Sequence, residues 1–395
     1  MKKLGLIPRL LIAIVLGIVI GLFLPQWVGN LLYTVSEIFG QLLMYIVPLI
    51  ILAFIIPGLA ELAQSPGKLL GATAGLAYVV TVAMGIVAFL VGMAIIPGIA
   101  PELVEVAEEA GLSTYIDIEI PAMMGVMTAL VTAFIFGLGA NALRRRSGGP
   151  SVLFDFMHEV REVVRMVITK LIIPFLPVYI AGIFANMAAE GQVFEAMALF
   201  GPLFGLVIGL QILFLIVFYL IANRISPENK PFASLRKMIP AYTTALGTVS
   251  SAATMPVTLR SAKTLNVSEE IPDFVIPLCA TIHLTGSTIA LTISAVTVYI
   301  LQVGTPTIGV FLPFILLLAV VMIGAPGVPG GAVMAALGIM TVTLGFGDAQ
   351  LALMIALYMG QDPFGTACNV TGDGGITIII NKLSERLKAK EAAAA

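Results

Sequence analysis

Charged side chains are scarce in this sequence. Only 11% of its 395 residues are Asp, Glu, Lys or Arg, whereas 59% are hydrophobic. A soluble fold needs more polar surface than this composition supplies, so an ordinary soluble domain is excluded. The formal net charge of -2 is uninformative, because in so apolar a chain the placement of charge matters and the total does not, and nucleic acid is not implied as a partner. The sequence therefore predicts an all-α polytopic protein whose surroundings are a lipid bilayer.

Cysteine and histidine are nearly absent, with two residues of each type. Cys279 and Cys368 lie far apart in apolar segments without CxxC spacing, so we expect buried, reduced thiols. The sequence contains no HExxH or GxSxG motif and no pair of catalytic acids beside a nucleophile. An intramembrane enzyme is therefore the least favoured class, and no organic cofactor is predicted.

Long apolar runs, by contrast, are abundant. A transmembrane helix needs about 20 apolar residues. On this criterion we predict eight transmembrane helices, the first of them retained because it lacks a small-residue cleavage site. They cover residues 6–25, 31–60, 70–97, 121–143, 152–188, 196–223, 270–302 and 350–385.

The placement of basic residues predicts the orientation of these helices. Lys2, Lys3 and Arg9 precede or begin the first span, and a basic segment follows the eighth. The loop after the third span is acidic and contains no Lys or Arg. By the positive-inside rule, both termini of this multi-pass protein lie in the cytoplasm, and the membrane is the cell inner or plasma membrane.

Two segments fit re-entrant helical hairpins better than single spans. Residues 232–260 have basic residues at both ends, so the chain is expected to enter and leave on the cytoplasmic side, with a tip near Ser250, Ser251 and Ala252. An ordinary polar span is the alternative. Residues 308–345 contain GAPGVPGG between two apolar halves and no basic flank, which predicts a second hairpin entering from outside.

Interruptions also occur inside the two spans that follow these hairpins. HLTGS divides the seventh span at residues 283–287, and YMGQDPFGTACNVTGD divides the eighth at residues 358–373. Each half of residues 232–390 is thus a hairpin followed by an interrupted span, and the halves enter from opposite faces. This inverted repeat is typical of a transporter core that binds solute and cations near the membrane midplane on broken helices. Buried Asp362 and Asp373 mark that site, because a charge at membrane depth is costly unless it has a partner.

Three strings carry a family resemblance: SSAATMPVT at 250–258, GAPGVPGGAVMAA at 324–336 and NVTGD at 369–373. In this order the chain resembles the dicarboxylate/amino acid:cation symporter family, which includes the excitatory amino acid transporters. The resemblance implies a homotrimer with an elevator mechanism. Scaffold helices would come from residues 1–66 and 101–192, and the moving transport domain from 67–100 and 193–390.

The resemblance also implies a role for particular residues. Asp362 matches the acid that receives the substrate's ammonium group, and Asp373 matches a cation-ligating acid. Asn369 matches a residue that binds substrate and, through its carbonyl, sodium. The implied substrate-binding residues are Ser250, Ser251, Val328, Gly330, Asp362, Gly365, Thr366 and Asn369. The implied ligands of a bound Na⁺ are Tyr78, Thr81, Thr285, Gly286, Asn369 and Asp373.

Two departures from the family pattern concern the substrate. The arginine that holds an acidic side chain in glutamate and aspartate carriers falls on Gly365, and the alternative arginine of the first hairpin falls on Val249. A second substrate carboxylate would then be buried without a partner, which is expensive. We therefore expect a small neutral amino acid, with an acidic amino acid or C4-dicarboxylate as the alternative.

Further departures concern the coupling cation. Where the family reads NMDGT this chain reads HLTGS, and another family acid falls on Tyr358. Losing carboxylates weakens a site for a hard cation, so at least one sodium site is expected to be missing. Because imidazole titrates near neutral pH, a proton on His283 is one hypothesis for the coupling ion. The other is a neutral His283 bonded to a hydroxyl such as Thr285 or Tyr78. Uncoupled flux through a uniporter or channel is a third possibility.

Overall fold

The computed structural model describes residues 6–61, 68–99, 111–147, 152–191 and 193–394. Regular secondary structure within these ranges is entirely helical, as the composition predicts. The helices are α1 (Leu6–Phe23), α2 (Gln26–Glu61), α3 (Lys68–Ile99), α4 (Val126–Ser147), α5 (Val152–Val167), α6 (Ile173–Ala189), α7 (Val193–Ile225), α8 (Pro231–Lys237), α9 (Ile239–Thr248), α10 (Ser251–Ala262), α11 (Glu270–Ile282), α12 (Thr285–Gln302), α13 (Ile308–Met322), α14 (Gly331–Leu344) and α15 (Asp348–Ala394). A short π-helical segment, Ile168–Ile172, joins α5 to α6.

Six helical segments in the described ranges are long and apolar enough to cross a membrane. They are Gln26–Gly58, Leu69–Ile99, Val126–Leu143, Val152–Ala189, Phe200–Ile225 and Glu270–Gln302. These segments correspond to the predicted spans two to seven. The predicted first and eighth spans correspond to α1 and α15, which are not among these six segments. The total of eight crossings therefore stays a prediction.

The fourth predicted span begins too early. Residues 121–125 are not helical, and α4 starts only after Gly125. The preceding extended segment is bound along α2: the Ser113 and Ile120 amides donate to Asn30 and Gln41 side chains at 3.1 and 2.9 Å. Pro121 lacks an amide donor and suits this extended segment better than a helix. Residues 101–110, and Lys2 and Lys3, on which the predicted orientation partly rests, lie outside the described residues.

Both predicted hairpins are pairs of adjacent helices. α9 packs against α10, and only Val249 and Ser250 separate the end of one from the start of the other. α13 packs against α14, with the glycine- and proline-rich residues 323–330 between them. The tip of the first hairpin therefore lies where the hydroxyl-rich sequence predicted it, and a single continuous span at 232–260 is excluded.

The seventh span is interrupted as predicted. α11 ends at Ile282 and α12 begins at Thr285, with His283 and Leu284 in non-helical conformations between them. The break exposes the last carbonyls of α11 and the first amides of α12 inside the protein. Such groups need partners, and the first amides of α12, those of Gly286 and Ser287, donate to Asn369 of α15.

The predicted break in the eighth helix is wrong. α15 is continuous from Asp348 to Ala394 and contains Pro363 in its interior. A proline is tolerated inside a membrane helix when neighbouring helices surround it and supply alternative partners. Here the polar side chains of α15, such as Asp362 and Asn369, bond to other segments and leave their own helix intact.

Packing places α15 at the centre of one group of helices. α15 contacts α3, α7, α9, α10, α11, α12 and α14, whereas α2 packs mainly against α4, α5 and α6, and α1 against α6. Large apolar side chains are exposed along α1 and α4, as expected of surfaces that meet lipid or another subunit. The division into scaffold and transport domains stays a prediction.

Candidate functional site

Asp362 lies on α15 and is buried, with 5% of its surface exposed. Its Oδ2 accepts a hydrogen bond from the Gly330 amide at 2.7 Å. Its Oδ1 accepts from the Tyr358 hydroxyl at 2.9 Å and, more weakly, from Thr366 at 3.4 Å. The structure therefore brings together three predicted substrate-binding residues, Gly330, Asp362 and Thr366.

The Asp362–Gly330 bond joins α15 to the tip of the second hairpin. Gly330 immediately precedes α14 and has φ 74°, a left-handed conformation that favours glycine. The carboxylate thus sits at the N-terminus of α14, where the helix dipole and free amides favour negative charge. Asp362 acts as a capping group supplied by another helix.

Asn369 contacts the start of α12, in the interrupted seventh span, as Asp362 contacts the start of α14. Its Oδ1 accepts from the Gly286 amide at 2.7 Å and from the Ser287 amide at 3.4 Å, both at the start of α12. Its Nδ2 donates to the Ser287 hydroxyl at 3.0 Å. Gln211 of α7 completes the arrangement by donating to the Gly286 carbonyl at 2.9 Å.

The two hairpin tips contact each other. The Ser250 hydroxyl donates to the Gly327 carbonyl at 2.5 Å, and its oxygen also accepts from the Ala253 amide at 3.2 Å, so Ser250 caps α10. Ser251 is buried at the start of α10, and Val328 is half-buried in the second tip. Contact between the tips joins the two hairpins across the middle of this helix group.

Two helix N-termini, those of α12 and α14, are thereby bonded to one stretch of α15, and the N-terminus of α10 is bonded to the second hairpin tip through Ser250 and Gly327. Asp362 and Asn369 are two turns apart on that helix, about 10 Å along its axis. Free amides at helix N-termini form ready sites for anionic groups, while a buried carboxylate such as Asp362 suits a cation. The arrangement can bind a solute that carries both charges.

His283 and Asp373 form a buried pair beside this site. The Nδ1 of His283 lies 2.8 Å from the Oδ1 of Asp373, and the two side chains are 0% and 2% exposed. The Nε2 of His283 is buried without a hydrogen-bond partner. A hydroxyl of Thr285 or Tyr78 was the alternative partner predicted for His283, and that prediction is wrong.

The residues predicted as Na⁺ ligands fall into separate contacts. The Thr81 and Thr285 hydroxyls lie 3.2 Å apart, joining α3 to α12, and Tyr78 is half-buried one turn before Thr81. Gly286 and Asn369 bond to each other, and Asp373 bonds to His283. Among the described residues no three His, Cys, Asp or Glu side chains cluster as a metal site.

Gly365 faces α12: a Cβ added there would lie 3.5 Å from Ser287, an ordinary van der Waals distance. Among the described residues, the buried polar and charged side chains include His283, Asp362 and Asp373 but no lysine or arginine. No guanidinium or ammonium of the described core is therefore buried with the two acids.

The sequence as a whole was compared with known proteins. A family model described as the sodium:dicarboxylate symporter family matches residues 6–383. The chain belongs to this family. Relatives in this family, such as excitatory amino acid transporter 3, are named as transporters, and membership supports a multi-pass membrane protein.

The chain is similar to several known transport proteins. It is 28% identical to excitatory amino acid transporter 3 of Oryctolagus cuniculus over 264 residues, which cover 67% of this chain and 49% of that protein. It is 24% identical to the C4-dicarboxylate transport protein of a Janthinobacterium species, covering 96% and 90% of the two chains. The serine/threonine transporter SstT of Enterococcus faecalis is 26% identical, covering 84% and 80%. The match thus spans about half the length of the animal relatives.

Three residues that organise the site, Tyr358, Ser287 and Gln211, were not predicted from the sequence. The sequence identifies Tyr358 only as a position where the family has an acid. Its spacing of one helical turn from Asp362 nevertheless makes a side-chain contact possible. Ser287 and Gln211 hold the start of α12. Gln211 comes from a distant helix, and no sequence signal connects it to the site.

Proposed function

We propose that this protein is a symporter that moves a small neutral amino acid across the membrane and couples its movement to cation entry. The observation that carries this proposal is the buried Asp362 carboxylate at the N-terminus of α14, with Asn369 at the N-terminus of α12 and no buried lysine or arginine among the described residues. This combination suits a zwitterion with one ammonium and one carboxylate, since each charge then has one partner.

Each group of the zwitterion has its own protein partner in this proposal. The ammonium binds the Asp362 carboxylate, and Thr366 lies one turn further along the same face. The α-carboxylate binds hydroxyl and amide donors at the start of α10, from Ser250 and Ser251, together with Asn369. Val328 and Gly330 of the second hairpin cover the bound solute.

Neutrality of the substrate side chain follows from Gly365 and Val249, where acidic-substrate carriers of the family have arginine. A second carboxylate bound here would lose its hydration without gaining a cation, which is unfavourable at low dielectric. The similarity to a serine/threonine transporter supports this choice. An acidic amino acid or C4-dicarboxylate is the alternative, supported by the relative that covers 96% of this chain.

For the coupling cation we propose the His283–Asp373 pair as the site that takes a proton. The carboxylate already has a hydrogen-bonded partner within the chain. Sodium is the alternative, using oxygens of Tyr78, Thr81, Thr285, Gly286 and Asn369. Uncoupled flux through a uniporter or channel is the alternative of another class. If the His283–Asp373 pair does not take up and release a proton during transport, it moves no ion with the substrate.

The mechanism we propose is the elevator motion of a homotrimer. α3 and α7–α15 would move as one unit against α1, α2 and α4–α6, and the second hairpin would open to the outside. Both termini would be cytoplasmic. Packing of α15 against most helices of the moving unit supports this division.

A binding experiment tests the substrate class. The purified protein is screened by thermal shift with L-serine, L-alanine, L-threonine, L-glutamate, L-aspartate and fumarate, at two sodium concentrations and two pH values. The neutral amino acids are expected to stabilise it most. Much tighter binding of glutamate, aspartate or fumarate than of the neutral set would reject the proposal.

Asp362→Asn in the same screen tests the ammonium contact. Loss of the charge should abolish stabilisation by the neutral amino acids. Asp273→Asn is the matched control, because Asp273 is a half-exposed carboxylate that pairs with Lys263 at 2.8 Å, outside the site. Ligand stabilisation retained in Asp362→Asn would show that the ammonium binds elsewhere.

A further inference from the structure

Tyr358 is a completely buried tyrosine whose hydroxyl lies between two parts of the site. Its oxygen is 2.9 Å from the Oδ1 of Asp362, and because a carboxylate only accepts, the hydroxyl donates. The Ser287 hydroxyl approaches the same phenol oxygen. Ser287 in turn accepts from Asn369 at 3.0 Å. A chain of polar side chains thus joins Asn369 to Asp362 inside the protein.

The two oxygens of Asp362 have separate donors. Tyr358 of the same helix holds Oδ1, and the Gly330 amide of the second hairpin binds Oδ2. The terminal torsion of an aspartate is soft, so a carboxylate with one donor can rotate about that bond. Donors on both oxygens restrict the rotation, and hydrogen bonds in a water-poor interior are electrostatically strong.

We propose that Tyr358 is a positioning residue for substrate binding: its hydroxyl fixes the plane of the Asp362 carboxylate so that this one group serves both the substrate ammonium and the N-terminus of α14. The inference rests on the proposed function, in which Asp362 receives the ammonium. Tyr358 itself acts only through Asp362 and does not touch the substrate.

Fixing the carboxylate before binding has two consequences. The ammonium meets a group that is already oriented, so less conformational freedom is lost on binding. In addition, the second hairpin stays attached to α15 through Gly330 while the ammonium binds. Removing the Tyr358 hydroxyl leaves Asp362 held by the Gly330 amide and by the weaker Thr366 contact, so its plane is less restrained. Affinity should therefore fall while the transport steps that follow binding continue.

The test is uptake by the full chain in proteoliposomes, using whichever of L-serine, L-alanine, L-threonine, L-aspartate and L-glutamate the unsubstituted protein transports. Tyr358→Phe is expected to raise KM about tenfold, the effect of losing one hydrogen bond to a charged group, and to leave Vmax within about twofold. Ser287→Ala, which removes the hydroxyl next to the phenol, should raise KM in the same direction by a smaller factor.

Tyr219→Phe is the matched control. Tyr219 is also buried, and its hydroxyl donates to the Thr371 carbonyl of α15 at 2.8 Å, away from Asp362. Its loss should lower the midpoint of thermal unfolding about as much as Tyr358→Phe does, but leave KM within about twofold. A merely structural role of Tyr358 would instead lower Vmax or the folded fraction without changing KM.

The outcomes separate the inference from the proposed function. If the unsubstituted protein transports L-serine, L-alanine or L-threonine and Tyr358→Phe leaves KM unchanged, the proposed function stands and the positioning role is rejected. If the unsubstituted protein transports fumarate but no amino acid, both are rejected, because Asp362 then has no ammonium to receive.

Discussion

His283 and Asp373, ninety positions apart in sequence, are 2.8 Å apart between Nδ1 and Oδ1 and are sealed from solvent. The added Cβ of a residue at 372 would lie 2.8 Å from the His283 ring, so Gly372 leaves room for the imidazole against α15. The His283–Asp373 contact attaches the break between α11 and α12 to α15.

We predict that a pH gradient with acid outside drives uptake into sodium-free proteoliposomes, and that His283→Gln removes this response. The reason is that Asp373 already has an imidazole partner, which can carry the proton. Uptake of radiolabelled amino acid measures it. His158→Gln is the control, since His158 pairs with Arg161 on α5, outside the site. Uptake that needs sodium, ignores the pH gradient and survives His283→Gln would contradict the prediction.

Gly365→Arg should change the substrate preference. A guanidinium introduced on this face of α15 supplies the missing partner for a second carboxylate, and the first side-chain atom meets Ser287 at an ordinary distance of 3.5 Å. We expect the affinity for L-aspartate relative to L-serine to rise at least about tenfold, corresponding to about 1.4 kcal/mol. Competition binding measures the ratio. Gly365→Met adds similar length without charge and should not raise it, and an equal ratio in both variants would refute the explanation.

Val249→Gly should stabilise the tip of the first hairpin. Val249 has φ 50° and ψ 33°, a left-handed conformation that costs a β-branched residue roughly 1–2 kcal/mol. Glycine adopts it freely, so the midpoint of thermal unfolding should rise. In the described ranges Val249 is the one non-glycine residue with positive φ. Val267→Gly is the control, because the same substitution there relieves no left-handed strain. Val267→Gly should destabilise, and a fall with Val249→Gly as well would argue against strain at this tip.

Gly286→Ala should destabilise the contact between α12 and α15. A Cβ at this position would lie 2.6 Å from both the Gly365 carbonyl oxygen and the Cys368 Cβ, which is too close without movement of a helix. Overpacking of this kind costs about 1–3 kcal/mol, measurable by thermal or denaturant unfolding. The matched control is Gly205→Ala on α7, where an added Cβ meets nothing within 4 Å. A similar change in the free energy of unfolding of both variants would show that helix propensity, and not packing, determines the effect of the substitution.

The sequence alone predicted where chain breaks occur when the signal was local. Serine-rich 250–252, GAPGVPGG and HLTGS each interrupt an apolar run, and each lies at or beside a helix end in the structure. Membrane insertion makes such interruptions informative, because a polar or helix-breaking residue there needs a specific reason. The same reasoning failed for residues 358–373, where the polar groups of α15 are satisfied by neighbouring helices without a break.

The composition and motif order of the sequence predicted an all-helical membrane protein of this family, with acids at 362 and 373. The partners of those acids were decided only by the tertiary structure. Gly330 binds Asp362 across a separation of 32 residues, and His283 binds Asp373 across 90. Sequence patterns report the preferences of a segment for helix and for lipid, whereas a hydrogen bond between distant segments depends on how the helices pack. The chemistry of each acid is set by that packing.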